Sequence, residues 1–235
     1  MKHYVYESPF KMKDEKGVKY TLEVESCGWH DDPREWDNRC TMICWHNQYS
    51  LGDKHSYSGP LDLMTTLHRE VIGESWFYKH TSEDWSDIMQ ALQESNLIHI
   101  KAIHLYDHGG LTVSTSNAYP YNDRWDSRTV GFIYVTKKKL IEECIGMVEE
   151  DWKERADQYI EDEMKTYDQY LRGDVYGFTL KKTVTKKEKC PHCGEVVREY
   201  EEEIVDDSCS GFYGDCLEDN GILDILGGLE FVEED

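Results

Sequence analysis

Apolar and polar positions alternate with period two from Lys19 to Glu25, which predicts a half-buried β-strand. Asp31-Asp32-Pro33 breaks the chain, and Thr41-Met42-Ile43-Cys44-Trp45-His46 reads as a short buried strand. The period then changes. Leu61, Met64, Leu67, His68 and Val71 recur at helical spacing behind Pro60, which suits a first helical turn. A second helix is expected from Glu83 to about Ser95, with Ser82 as its N-cap and Trp85, Ile88, Met89 and Leu92 on its apolar face.

Strand pattern returns from Ile98 to Tyr106, turns at Asp107-His108-Gly109-Gly110, and resumes at Leu111–Thr115 and Val130–Val135. Residues 137–172 predict one long helix, with an apolar stripe through Cys144, Val148, Trp152, Tyr159, Tyr167 and Leu171. Glu163 falls on that stripe as its polar exception, and Gly173 is placed as a C-cap. A last hairpin follows, Val175–Lys189 and Glu195–Asp207, then a short helix over Asp219–Leu229 and an acidic tail. The expected class is α+β: mostly antiparallel sheet packed by one long helix and shorter helices, with an extended C-terminal hairpin. Without a low-complexity linker, residues 1–235 read as one domain, in which 181–203 is a hairpin extension and 204–235 an acidic segment.

Charge narrows the function. Lys plus Arg number 26 against 48 Asp plus Glu, a net charge of −22. Phosphate backbones and anionic lipid repel such a chain, so neither nucleic acid nor membrane is an expected direct partner. The 7 Trp, 16 Tyr and 6 Phe argue against disorder. Apolar runs such as Gly131–Val135 fall far short of the roughly 20 residues needed to span a bilayer. Met1-Lys2-His3-Tyr4 lacks the apolar core of a secretion signal, so the expected location is the cytoplasm. The 8 Cys then read as reduced thiols or metal ligands.

Glu199 to Asp235 holds 14 acids and no Lys or Arg. The strand before it carries Lys181, Lys182, Lys186, Lys187 and Lys189, which predicts cross-strand ion pairs with the Glu-rich strand. Beyond those pairs, Asp206, Asp207, Asp215, Glu218 and Asp219 form a candidate partner-binding set, able to imitate a row of phosphates. Tyr119, Tyr121 and Trp125, in a polar loop, are candidate aromatic anchors.

Cys190-Pro191-His192-Cys193-Gly194 has the spacing of a zinc knuckle, so Cys190 and Cys193 are candidate ligands of a structural Zn²⁺. A tetrahedral site needs two more ligands, and no second Cys-x-x-Cys exists. Completion from elsewhere in the chain, sharing between two copies in a homodimer, and a loop with two free thiols all stand open. His104, Asp107, His108 and Asp126 offer a different chemistry, that of a metal-dependent hydrolase or nuclease. Against it, Asp107 fits a turn residue bonded to its own backbone.

The segments Asp32-Pro33-Arg34-Glu35-Trp36-Asp37-Asn38, Leu105-Tyr106-Asp107-His108-Gly109-Gly110-Leu111, Trp125-Asp126-Ser127, Tyr167-Asp168-Gln169-Tyr170-Leu171-Arg172-Gly173 and Ser208-Cys209-Ser210-Gly211-Phe212-Tyr213-Gly214 occur in that order. Together they resemble an uncharacterised family of acidic accessory proteins from bacteriophages and integrative mobile elements, over roughly residues 30 to 220. The resemblance carries over no catalytic residue. It implies an accessory protein that binds and inhibits a host nucleic-acid-binding defence protein, of the anti-restriction or anti-CRISPR type. Lys181–Glu203, with its Cys-Pro-His-Cys tip, departs from that family, whose last hairpin is short.

Overall fold

The computed structural model describes residues 2–28, 30–73, 84–116, 127–144 and 149–232. They form two units, one of residues 1–31 with 173–235 and one of residues 32–172.

In the unit of residues 32–172, four antiparallel strands carry helices on both faces. The strands are β3 (Thr41–Cys44), β4 (Ile98–Asp107), β5 (Leu111–Ser114) and β6 (Ser127–Thr136), in the order β3-β6-β4-β5. Burial on both faces explains why Thr41–Cys44 reads as a continuous apolar run. Along β4, Ile98 and Ile100 point to one core while Ile103 and Leu105 point to the other. The first core is closed by α1 (Pro60–Val71) and α2 (Trp85–Glu94), through Leu63, Leu67, Ile88 and Leu92. Pro60 opens α1 as expected. The N-cap of α2 is Asp84, whose side chain accepts from the Ser86 N–H at 2.9 Å; the expected Ser82 lies outside the described residues.

The second core is closed by α3 (Lys137–Glu143) and α4 (Trp152–Arg172). The single helix expected over 137–172 is therefore two. Cys144 leaves helical geometry with φ −103° and ψ 101°, and a 3₁₀ turn at Glu149–Asp151 precedes α4. The buried stripe of α4 is Trp152, Ala156, Ile160, Met164 and Tyr167, so the expected stripe was rotated toward Tyr159 and Leu171, which are only partly buried.

Glu163 lies beside that stripe and is held by the Asp32–Trp36 turn. Asp32 caps this turn by accepting from the Arg34 N–H. The Arg34 side chain, 3% exposed, donates to Glu163 at 2.7 Å, to Asp53 at 2.8 and 3.1 Å, and to the Cys40 carbonyl at 2.9 Å. Glu163 also accepts the N–H groups of Arg39 and Cys40 at 2.9 Å. Each nitrogen of the Arg34 guanidinium thereby has an acceptor, as burial of charge requires.

The other unit is a five-stranded antiparallel sheet. It contains β1 (Phe10–Asp14), β2 (Lys19–Ser26), β7 (Val175–Lys189), β8 (Val196–Tyr213) and β9 (Leu229–Phe231), in the order β8-β7-β2-β1-β9. Its inner face packs Phe10, Leu22, Phe178 and Leu180 against Leu217, Ile222 and Leu226 of the chain's C-terminal segment. The short helix expected at Asp219–Leu229 shrinks to α5 (Ile222–Ile225) and gives way to β9. Among the described residues, no helix is long and apolar enough to cross a membrane.

Candidate functional site

The hairpin expected at the C-terminus forms, and it outgrows its sheet. β2 pairs with β7 only between Tyr176 and Lys182. From Thr183 to Lys189, β7 has β8 alone as a neighbour, so these residues and their partners form a two-stranded arm. Such a ribbon is marginal in water by itself. Ion pairs brace it. Lys187 meets Glu199 at 3.3 Å and Lys186 meets Glu202 at 2.5 Å, as the charge pattern predicts. Lys181 departs from that ladder and turns instead to Glu23, at 2.6 Å. At the base of the arm, Glu203 accepts from Thr21 Oγ1 at 2.5 Å and from Lys11 at 3.3 Å. The Thr21 hydrogen bond, then the Lys11 charge, hold its carboxyl below the usual carboxylate range.

β8 lies at the sheet edge and is exposed along almost its whole length. Its ladder with β7 skips one residue at each of three places, leaving Val197, Asp206 and Gly211 opposite no partner residue. Bulges of this kind kink an edge strand and re-aim its side chains. Here the middle bulge pushes Asp206 out of register between Val205, 63% exposed, and Asp207. Among the described residues, neither Asp206 nor Asp207 forms an ion pair, and Asp207 accepts only its neighbour's N–H, from Ser208 at 2.8 Å.

The rest of the expected acidic set divides. Asp215 is exposed, next to Tyr6, which is 74% exposed and stacked on Tyr4 at 5.4 Å. Glu218 and Asp219 are occupied inside the chain. The His3 N–H donates to both Glu218 oxygens at 3.2 and 3.0 Å, and His3 Nδ1 lies 2.7 Å from one of them. Partial burial disfavours the Glu218 charge, but the His3 bonds prevail and bring its pKa down to about 2. Lys2 meets Asp219 at 2.8 Å. These two acids fasten the N-terminal segment.

At the arm's tip, the Cys190 N–H donates to the Glu195 carbonyl at 2.7 Å and the Gly194 N–H returns to the Cys190 carbonyl at 2.9 Å. Gly194 takes φ +76°, a left-handed conformation that glycine adopts without strain. The tight turn directs the N–H groups of His192 and Cys193 at the Cys190 sulfur, which holds that thiol below its ordinary range. All eight cysteines are free thiols.

Of the hydrolase constellation, His104, Asp107 and His108 fall within the described residues. His104 sits on β4, and its Nδ1 is 3.2 Å from Thr129 Oγ1; burial alone lowers its pKa. Asp107 closes the β4–β5 ladder opposite Leu111, while His108 lies in the following turn, its N–H donating to the Gly110 carbonyl at 3.3 Å. Asp126, like Tyr119, Tyr121 and Trp125, lies outside the described residues. Among the described residues, no three His, Cys, Asp or Glu side chains are grouped to hold a metal ion.

Sequence reasoning passed over three features. Tyr4 caps a 3₁₀ turn over Val5–Glu7 that contains Tyr6, and the turn brings the two rings into a stack at 5.4 Å. Val205 was read only as part of an acidic strand. His46 meets Arg128 across 82 residues of chain, a contact no local pattern announces. No family model, curated protein or solved structure matches this chain.

Proposed function

We propose that this chain is a binding protein that engages a basic, nucleic-acid-handling protein through the acidic outer face of β8 and thereby keeps nucleic acid away from it. The observation that carries the reading is the Val205-Asp206-Asp207 segment, which sets an exposed apolar side chain beside two carboxylates that no Lys or Arg among the described residues neutralises. Side chains, not strand addition, make the contact, because three bulges interrupt the edge that an added strand would need. Asp215 beside the stacked Tyr4 and Tyr6 supplies a second acid-and-aromatic contact on the same unit.

Charge selects the partner class. A chain at −22 attracts a positively charged groove and is steered toward it over about a Debye length. Host defence nucleases of the restriction and CRISPR kinds have such grooves, and they are the class to which the sequence resemblance points. The test is displacement. A labelled duplex is bound to a purified candidate nuclease and titrated with this chain. Loss of bound duplex, with a midpoint that rises with salt, supports the reading; a stable ternary complex of duplex, nuclease and chain contradicts it.

A further inference from the structure

We infer that the arm tip is half of a zinc site, which two copies of this chain close by supplying Cys190 and Cys193 from each. Zinc in structural sites is tetrahedral, with thiolate sulfurs about 2.3 Å from the metal. One tip supplies two sulfurs, from positions three apart on a tight turn closed by the Cys190 N–H to the Glu195 carbonyl at 2.7 Å and the Gly194 N–H to the Cys190 carbonyl at 2.9 Å. Metal binding requires thiolates, so zinc would displace the thiol protons of both residues.

The chain's own thiols cannot finish the shell. Cys209 pairs with Phe178, eleven residues before the end of β7, which at about 3.3 Å per residue leaves it roughly 36 Å from the tip. Cys27 is farther still, its N–H bonded to the Val175 carbonyl. Cys40, Cys44 and Cys216 are buried, and Cys144 lies against Tyr159 Oη at 3.6 Å. No third His, Cys, Asp or Glu among the described residues joins the pair.

A second copy can reach the site. The chain as a whole would repel its copy, but residues 186–199 hold four basic and three acidic side chains, so the tip is close to neutral. Val196 and Val197, exposed beside the knuckle, gain cover when two tips meet. Four thiolates around one Zn²⁺ also fasten a ribbon that its own ladder leaves marginal.

The experiment uses the full chain, reduced, reconstituted with zinc sulfate and freed of excess metal. Metal content and light-scattering mass are read together. The inference expects one zinc per two chains and twice the 27.6 kDa monomer mass, both lost on chelation without change in far-ultraviolet circular dichroism. Cys193→Ser should lose zinc and dimer together, while His192→Ala should keep both. One zinc per chain on a monomer overturns the inference. So does a chain that binds no zinc, zinc retained by Cys193→Ser, or zinc lost by His192→Ala while the fold is unchanged.

Discussion

Arg34 donates to Glu163 at 2.7 Å inside the unit of residues 32–172, and this contact ties the Asp32–Trp36 turn to α4. With Asp53 on its other side, the guanidinium balances two carboxylates at once. Removing it strands both. Arg34→Ala is expected to cost about 3–5 kcal/mol, the range for breaking one side of a buried ion pair. Glu163→Gln should cost less, because its amide oxygen still accepts the Arg39 and Cys40 N–H groups. Urea unfolding of the two variants checks the order; an Arg34→Ala protein as stable as wild type would contradict it.

Glu218 makes stability depend on pH. Its pKa in the folded chain is about 2, below the ordinary 4.5, so the ionised form is the one the fold favours. The stabilisation is complete above about pH 4.5 and is lost as pH falls toward 2. Solvent screening at this partly exposed site limits it to about 1 kcal/mol. Glu218→Gln should flatten the melting temperature between pH 5 and pH 2.5, approximately the window in which the carboxyl titrates. A variant with the wild-type slope would refute the role given to His3.

Gly131 sits on β6 opposite Cys44 of β3. A Cβ placed there would lie 2.2 Å from the Ile43 carbonyl oxygen and 2.8 Å from Cys44 Cα, both backbone atoms. Neither can move without shifting the ladder of Thr41–Cys44. Gly131→Ala should therefore destabilise by about 2 kcal/mol or more, an overpacking cost at the upper part of its usual range. Thermal melting of Gly131→Ala beside Gly110→Ala, where no atom lies within 4 Å of the added carbon, separates crowding from a general loss of glycine.

Strands β2 to β6 and the first helix were legible because each buries one clear face or two, and β7 and β8 through their opposed charges; β9 was not, since it falls where a helix end and an acidic tail are expected. Lys19–Glu25 alternates since β2 packs one side only, and Thr41–Cys44 is continuous since β3 is covered on both. The break after Cys144 was not legible. Apolar residues continue at helical spacing across it, and only the backbone turn at Cys144 ends the helix. Glu163 was visible as a misfit but not as a receptor, since Arg34 is 129 positions away. The boundaries of the two units coincide with the Asp31-Asp32-Pro33 break and with Gly173, but without a Gly- or Pro-rich linker these read as local punctuation. At the site, charge alone could rank the acids only by position. It could not tell Glu218 and Asp219, which fold back on His3 and Lys2, from Asp206, which a bulge leaves without a ladder partner.

Capture from nuclease-treated bacterial lysate, run in parallel with wild type and an Asp206→Lys/Asp207→Lys/Asp215→Lys variant, tests the acidic face most directly. Each is washed across a rising salt series, with circular dichroism confirming that both are folded. Wild type should retain one stoichiometric basic protein at low salt and release it as salt rises, and the variant should retain at least tenfold less. Equal retention by both, with the same salt profile, would contradict a partner site on β8.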